Sequence, residues 1–119
     1  MKRDSATRSP QRITEEAIEI LIVEDSPTQA QQLKDLLGSR GYAVTLAANG
    51  REALALARKR KPTLIISDIL MPRMDGYTLC KEVKSQDNLK DVPVLLVTTL
   101  SSPQDVLKGL ECGADNFIR

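Results

Sequence analysis

The sequence predicts an α/β domain in which a parallel sheet is covered by helices on both faces. Three features carry the prediction: short apolar runs that do not alternate, helix-start signatures between them, and polar residues where several of the runs stop. Strands buried on both faces read as continuous branched runs, and parallel neighbours need crossovers long enough to hold a helix. A chain of 119 residues with 41% hydrophobic content is about the size of one domain around one core.

Residues 1 to 18 mix charge, Ser, Thr and Pro10 with few apolar side chains, too little to offset the entropy of ordering. A flexible tail is expected there, with helix only near Thr14 to Ala17, and a single domain over residues 19 to 119. Ile20-Leu21-Ile22-Val23 reads as the first strand and stops at Glu24-Asp25. Ser26-Pro27-Thr28-Gln29 then offers an N-cap, a proline at the first helical position and a glutamine at the capping-box position. Ala30, Leu33, Leu36 and Leu37 share one face of the helix that follows, and Gly38 is placed to end it in a left-handed conformation.

The unit repeats. Ala43 to Leu46 reads as a strand, Gly50 to about Arg60 as a helix, and Leu64-Ile65-Ile66 after Pro62 as the third strand. Tyr77 to about Lys84 is a helix and Val94-Leu95-Leu96-Val97 a strand; Ser102-Pro103-Gln104-Asp105 opens another helix, and Phe117-Ile118 begins a fifth strand. Right-handed crossovers make this a doubly wound fold. Strand order is not written in periodicity, but the flavodoxin-like order 2-1-3-4-5 is the common five-stranded solution. Leu54, Ala57, Val106, Leu107 and Leu110 are core-facing candidates.

Composition excludes more than it suggests. Seventeen basic against sixteen acidic residues leave a net charge of +1, so no global field draws in nucleic acid or an anionic membrane, and neither is expected to bind directly. No apolar run approaches the about 20 residues of a membrane span, and no signal-peptide apolar region opens the chain; a soluble, cytoplasmic protein is expected. Cys80 and Cys112 lack metal-ligand spacing and read as reduced thiols. There is no histidine, which removes imidazole-based nucleophilic triads, histidine zinc sites and an internal phosphohistidine donor. With no Trp and only Tyr42, Tyr77 and Phe117 as aromatics, base stacking and aromatic cages are poorly served too. Carboxylates and hydroxyls remain.

Glu24 and Asp25 follow the first strand, Asp68 the third, and Thr98 ends the fourth. Carboxyl ends of parallel strands are where such sheets bind ligands, and in the order 2-1-3-4-5 strands one and three flank the switch point. Three carboxylates meeting there repel one another unless a cation joins them. Hard oxygen donors without imidazole or thiolate suit octahedral Mg²⁺, which also accepts phosphate oxygens.

With those residues go the segments Ile22-Val23-Glu24-Asp25-Ser26, Ser67-Asp68-Ile69-Leu70-Met71-Pro72-Arg73-Met74-Asp75-Gly76 and Pro93-Val94-Leu95-Leu96-Val97-Thr98. Together they resemble the response-regulator receiver domains of two-component signalling, the chemotaxis-regulator-like family, over about Glu19 to Arg119. The phrase from Gly109 to Ile118 is similar to receivers of hybrid histidine kinases, and a multidomain response regulator is the other expected origin. The resemblance implies that Asp68 is the phosphoacceptor, that Asp25, Glu24 through water, Asp68 and the Leu70 carbonyl hold Mg²⁺, with Mn²⁺ able to substitute, and that Thr98 hydrogen-bonds the phosphoryl group. Thr98 and Phe117 fall at the switch positions, altering a face around the fourth helix and fifth strand. It implies in-line transfer from a phosphohistidine of a histidine kinase or phosphotransfer domain, in a signalling module limited to self-catalysed phosphotransfer and autodephosphorylation and so not an enzyme. It leaves room for a homodimer and for an output domain beyond Arg119.

The family's lysine after the fifth strand and its fifth helix would fall past Arg119, so these 119 residues read as a receiver domain truncated before both, a fragment; were the chain to end there, it is expected to label weakly and to self-associate through an uncovered sheet face. Two other readings compete. A pseudo-receiver would keep the fold as a phosphorylation-independent interaction module, against which stand Glu24, Asp25, Asp68 and Thr98. A metal-dependent phosphohydrolase would want an acid two residues after the nucleophile, where this chain has Leu70. Met71-Pro72 and Asp75-Gly76 are read as turn geometry, the glycine permitting a turn. Arg58-Lys59-Arg60-Lys61 is read as a solvated helix end meeting the dipole.

Overall fold

The computed structural model describes residues 18–98 and 102–112, with side chains through Leu107. Four strands and four helices alternate: β1 Glu19–Val23, α1 Pro27–Ser39, β2 Ala43–Ala47, α2 Gly50–Lys59, β3 Leu64–Asp68, α3 Gly76–Lys84, β4 Val94–Val97 and α4 Pro103–Cys112. The strands form one parallel sheet in the order β2-β1-β3-β4. The chain thus winds one way from β1 to β2 and the other way from β3 to β4, which puts the reversal between β1 and β3. The expected fifth strand at Phe117-Ile118, the tail before residue 18 and the side chains of Leu110 and Cys112 lie outside what is described.

Alternate side chains of each strand feed two cores. Leu21, Val23, Ile65 and Val94 face α2 and α3, meeting Ala53, Leu54, Ala57, Leu79 and Val83. Ile20, Ile22, Leu64, Ile66 and Leu95 face α1 through Leu33 and Leu37, and α4 through Val106 and Leu107. On the α1 side of the sheet α4 packs as well, and α1 and α4 touch. Both faces of β1 and β3 are buried, the physical reason their sequences run apolar without alternation.

Helix ends are set locally. The Ser26 hydroxyl accepts from the Gln29 N–H at 3.4 Å as expected, but the Ser26 N–H donates to Glu24 Oε2 at 3.0 Å, so Glu24 fills the reciprocal role assigned to Gln29. Gly38 does not end α1 in a left-handed conformation: the helix runs through Ser39, and the left-handed residue is Gly41 at φ 93°. Tyr42 N–H donates to Leu37 O at 3.3 Å and Gly41 N–H to Gly38 O at 3.1 Å, a Schellman ending with Gly41 just past the cap. Asn49 and Asp75 cap α2 and α3, accepting from Glu52 N–H at 2.9 Å and Thr78 N–H at 2.7 Å. The basic run at the end of α2 is exposed, with Arg60 paired to Glu19 and Lys61 to Asp91 at 2.9 Å.

Candidate metal centre

Strand register builds the site. Val23 stands opposite Ser67, so Glu24 falls level with Asp68 across the β1–β3 pair. Asp68 in turn stands opposite Val97, which puts Thr98 one step beyond it at the end of β4. The ladders continue past the strands: Glu24 N–H donates to Ala47 O at 3.0 Å and Ile69 N–H to Val97 O at 2.8 Å. Each of Glu24, Asp25 and Asp68 offers a carboxylate oxygen within 4.8 Å of the other two. Residues 43 and 44 apart in the chain thus meet at the switch point.

The three acids sit in different surroundings. Asp68 is 1% exposed, Glu24 half-buried and Asp25 exposed. Asp68 Oδ1 accepts from the Leu70 N–H at 3.3 Å, while Oδ2 is buried without a hydrogen-bond partner. Burial pushes the Asp68 carboxyl above its ordinary value and the Asp25 charge adds to that, against the opposing bonds from the Leu70 and Ile69 N–H groups. Glu24 is likewise raised, chiefly by burial and then by the charges of Asp68 and Asp25, with the Ser26 N–H opposing. A buried carboxylate oxygen with nothing to bind it, beside two further acids, is an arrangement a cation completes. The donors are all hard oxygens, and the cluster is capable of holding a divalent metal ion.

Other residues singled out from sequence lie around this centre. Thr98 is exposed and shares with Glu24, Gln29, Ser102 and Pro103 a concavity of about 220 Å³. Leu70 follows Asp68 by two residues in the β3–α3 loop and is 68% exposed. Phe117 lies outside the described residues.

Two residues escaped sequence reading. Ser67 is fully buried, its hydroxyl donating to the Asp68 carbonyl at 2.9 Å. Gly76 was expected to permit a turn, but its φ is not in the left-handed region; a Cβ there would lie 2.5 Å from Asp68 O and 2.9 Å from Ile69 Cα. Its reason is close approach of α3 to the strand end, a distance between separate backbone segments that no local signal reports.

Among the described residues no helix is long and apolar enough to cross a membrane. A family model for the response regulator receiver domain matches residues 20–119. The receiver domain of a signal transduction histidine kinase from Syntrophus aciditrophicus is 56% identical, covering 83% of this chain and 75% of that one, with a TM-score of 0.67. The chemotaxis protein CheY4 of Vibrio cholerae is 42% identical over 81% of this chain and 80% of its own, with a TM-score of 0.66. The transcriptional regulatory protein BaeR of Escherichia coli is 42% identical over 106 residues, which are 89% of this chain and 43% of BaeR. The chain spans about 40% of the length of other curated relatives it matches. The sequence match, the doubly wound sheet and the acid cluster at its switch point agree: the chain belongs to the response-regulator receiver family, signalling modules that take a phosphoryl group on aspartate.

Proposed function

We propose that Asp68 is the phosphoacceptor and that Glu24, Asp25, Asp68 and the Leu70 carbonyl hold Mg²⁺ beside it, within a receiver unit spanning residues 19 to 119. The observation that carries this reading is the buried, unpartnered Asp68 Oδ2 among three carboxylates whose oxygens lie within 4.8 Å of one another. Bound Mg²⁺ supplies charge that offsets the carboxylates and the equatorial phosphoryl oxygens. This chain's own residues do the rest. The Leu70 N–H orients Asp68 by holding Oδ1, and Ser67 and Gly76 fix the backbone carbonyl behind it. An Asp68 oxygen attacks phosphorus in line as the P–N bond of the donor phosphohistidine breaks, and the leaving imidazole takes a proton from solvent.

The donor is a histidine kinase or phosphotransfer domain, a reading supported by the similarity to a histidine-kinase receiver domain and to response regulators. Thr98, at the mouth of the site, donates its hydroxyl to a phosphoryl oxygen, and with Phe117 shifts the balance between two surfaces read by a downstream partner. Incubation with Mg²⁺ and acetyl phosphate followed by intact-mass measurement tests this. One phosphoryl increment is expected, lost in Asp68→Asn and on chelation. No increment in the wild-type chain points to an interaction module that does not use phosphate, and an increment retained in Asp68→Asn removes Asp68 from its role.

A further inference from the structure

The β3–α3 loop, residues 69–75, carries Leu70 past Asp68 and is fastened at both ends. At its base the Gly76 N–H donates to Ile69 O at 2.8 Å, with α3 pressed against the strand end. At its tip Met74 lies flush on the first turn of α2: a Cβ on Gly50 would stand 2.5 Å from Met74 Sδ, 3.0 Å from Cγ and 3.2 Å from Cβ. Between the two, Arg73 sits at φ 71°, the one non-glycine residue with positive φ among those described. The Met74 N–H donates across it to Pro72 O at 2.8 Å, a three-residue turn of the rare, strained kind. Such a conformation persists only where neighbours hold it.

The α2 side of the contact is itself rigid. Asn49 Oδ1 accepts from Glu52 N–H, and Glu52 Oε1 accepts from Ala48 N–H at 2.7 Å. Beside the contact lies a cavity of about 470 Å³ lined by Asn49, Gly50, Arg51, Pro72, Arg73 and Met74. An unbranched thioether displaced from Gly50 therefore has space to enter. We infer that Met74 seated on Gly50 is a latch that positions the loop presenting Leu70 to the carboxylate cluster, which makes Gly50 and Met74 positioning residues for the metal centre. The inference rests on the metal site proposed above.

Gly50→Ala tests it, because alanine forms helix better than glycine and the added methyl displaces only a flexible side chain. With Mn²⁺ as the probe, measured by water-proton relaxation, its Kd rises about tenfold, the low end for lost support behind metal ligands. In the metal-free protein the Leu70 amide, followed by NMR hydrogen exchange, exchanges about tenfold faster as the loop opens locally. Met74→Ala does the same, and the double variant is no worse than either single one, since both remove one contact. Met74→Leu keeps an apolar side chain of similar volume on Gly50 and restores both values. Unchanged Leu70 exchange in Gly50→Ala, or losses that add in the double variant, overturns the latch. A wild-type chain that binds no Mn²⁺ defeats the metal-site reading instead, and Leu70 exchange then decides the latch alone.

Discussion

Replacing Asp68 by Asn should make the metal-free protein more stable at neutral pH while abolishing its response to Mg²⁺. Asp68 is 1% exposed, has one hydrogen bond at 3.3 Å, and leaves Oδ2 unpaired. An unsatisfied buried polar group costs about 1–3 kcal/mol, and more when charged. A neutral side chain of the same shape removes the charged part of that penalty, a gain of about 1–2 kcal/mol. For a domain of this size each kcal/mol moves the thermal midpoint by about 4–8 °C, so a rise of about 4–16 °C is expected.

The pH dependence has a definite sign. Because burial raises the folded-state pKa of Asp68 above its ordinary 3.8, its favourable contribution is complete below that value and is lost as pH rises through the folded pKa. Metal-free wild type therefore loses stability over that interval, and Asp68→Asn loses less. Added Mg²⁺ at about a hundredfold excess over its Kd returns about 2.7 kcal/mol to the wild type. The variant, lacking one charged ligand, gains little. Melting followed by circular dichroism, with and without Mg²⁺, reads both effects. A metal-free variant that melts at or below the wild type, or that keeps the full Mg²⁺ increment, refutes the reasoning.

Three further outcomes follow from the packing. Gly76→Ala drives a methyl onto the Asp68 carbonyl and Ile69 Cα, backbone that cannot move aside, and should cost about 1–3 kcal/mol in urea unfolding; an unchanged midpoint contradicts the close approach. Leu37→Ala empties a site with 0% exposure between α1 and the sheet and should cost about 2–5 kcal/mol by the same measurement. Glu19 is held below its ordinary 4.5 by its hydrogen bond to the exposed Arg60, so its contribution is present above pH 4.5 and fades as pH falls through the depressed value. Wild type and Glu19→Gln should accordingly diverge above that pH, converge below it, and draw together in high salt; a gap that widens in acid reverses the sign.

The alternation of strand and helix, the caps at Ser26 and Ser102, and the acids waiting at strand ends are local properties. A branched run buried on both faces, or a side-chain oxygen within reach of an N–H three residues on, is specified within about one turn of chain. Sequence therefore determined the elements, the fold class and which side chains could hold a cation. Ending α1 was already harder: Gly38 was the expected stop, but the helix runs through Ser39 and the left-handed turn falls at Gly41, closed by the bond from the Tyr42 N–H to Leu37 O. Tertiary structure alone decided the distances. That three carboxylate oxygens gather within 4.8 Å, that Asp68 Oδ2 is orphaned, that α4 shares a face with α1, and that Gly50 and Gly76 are needed for contact rather than for turning all depend on segments many residues apart. Periodicity reports which way a side chain points along its own element, and nothing in it measures how near another backbone will come.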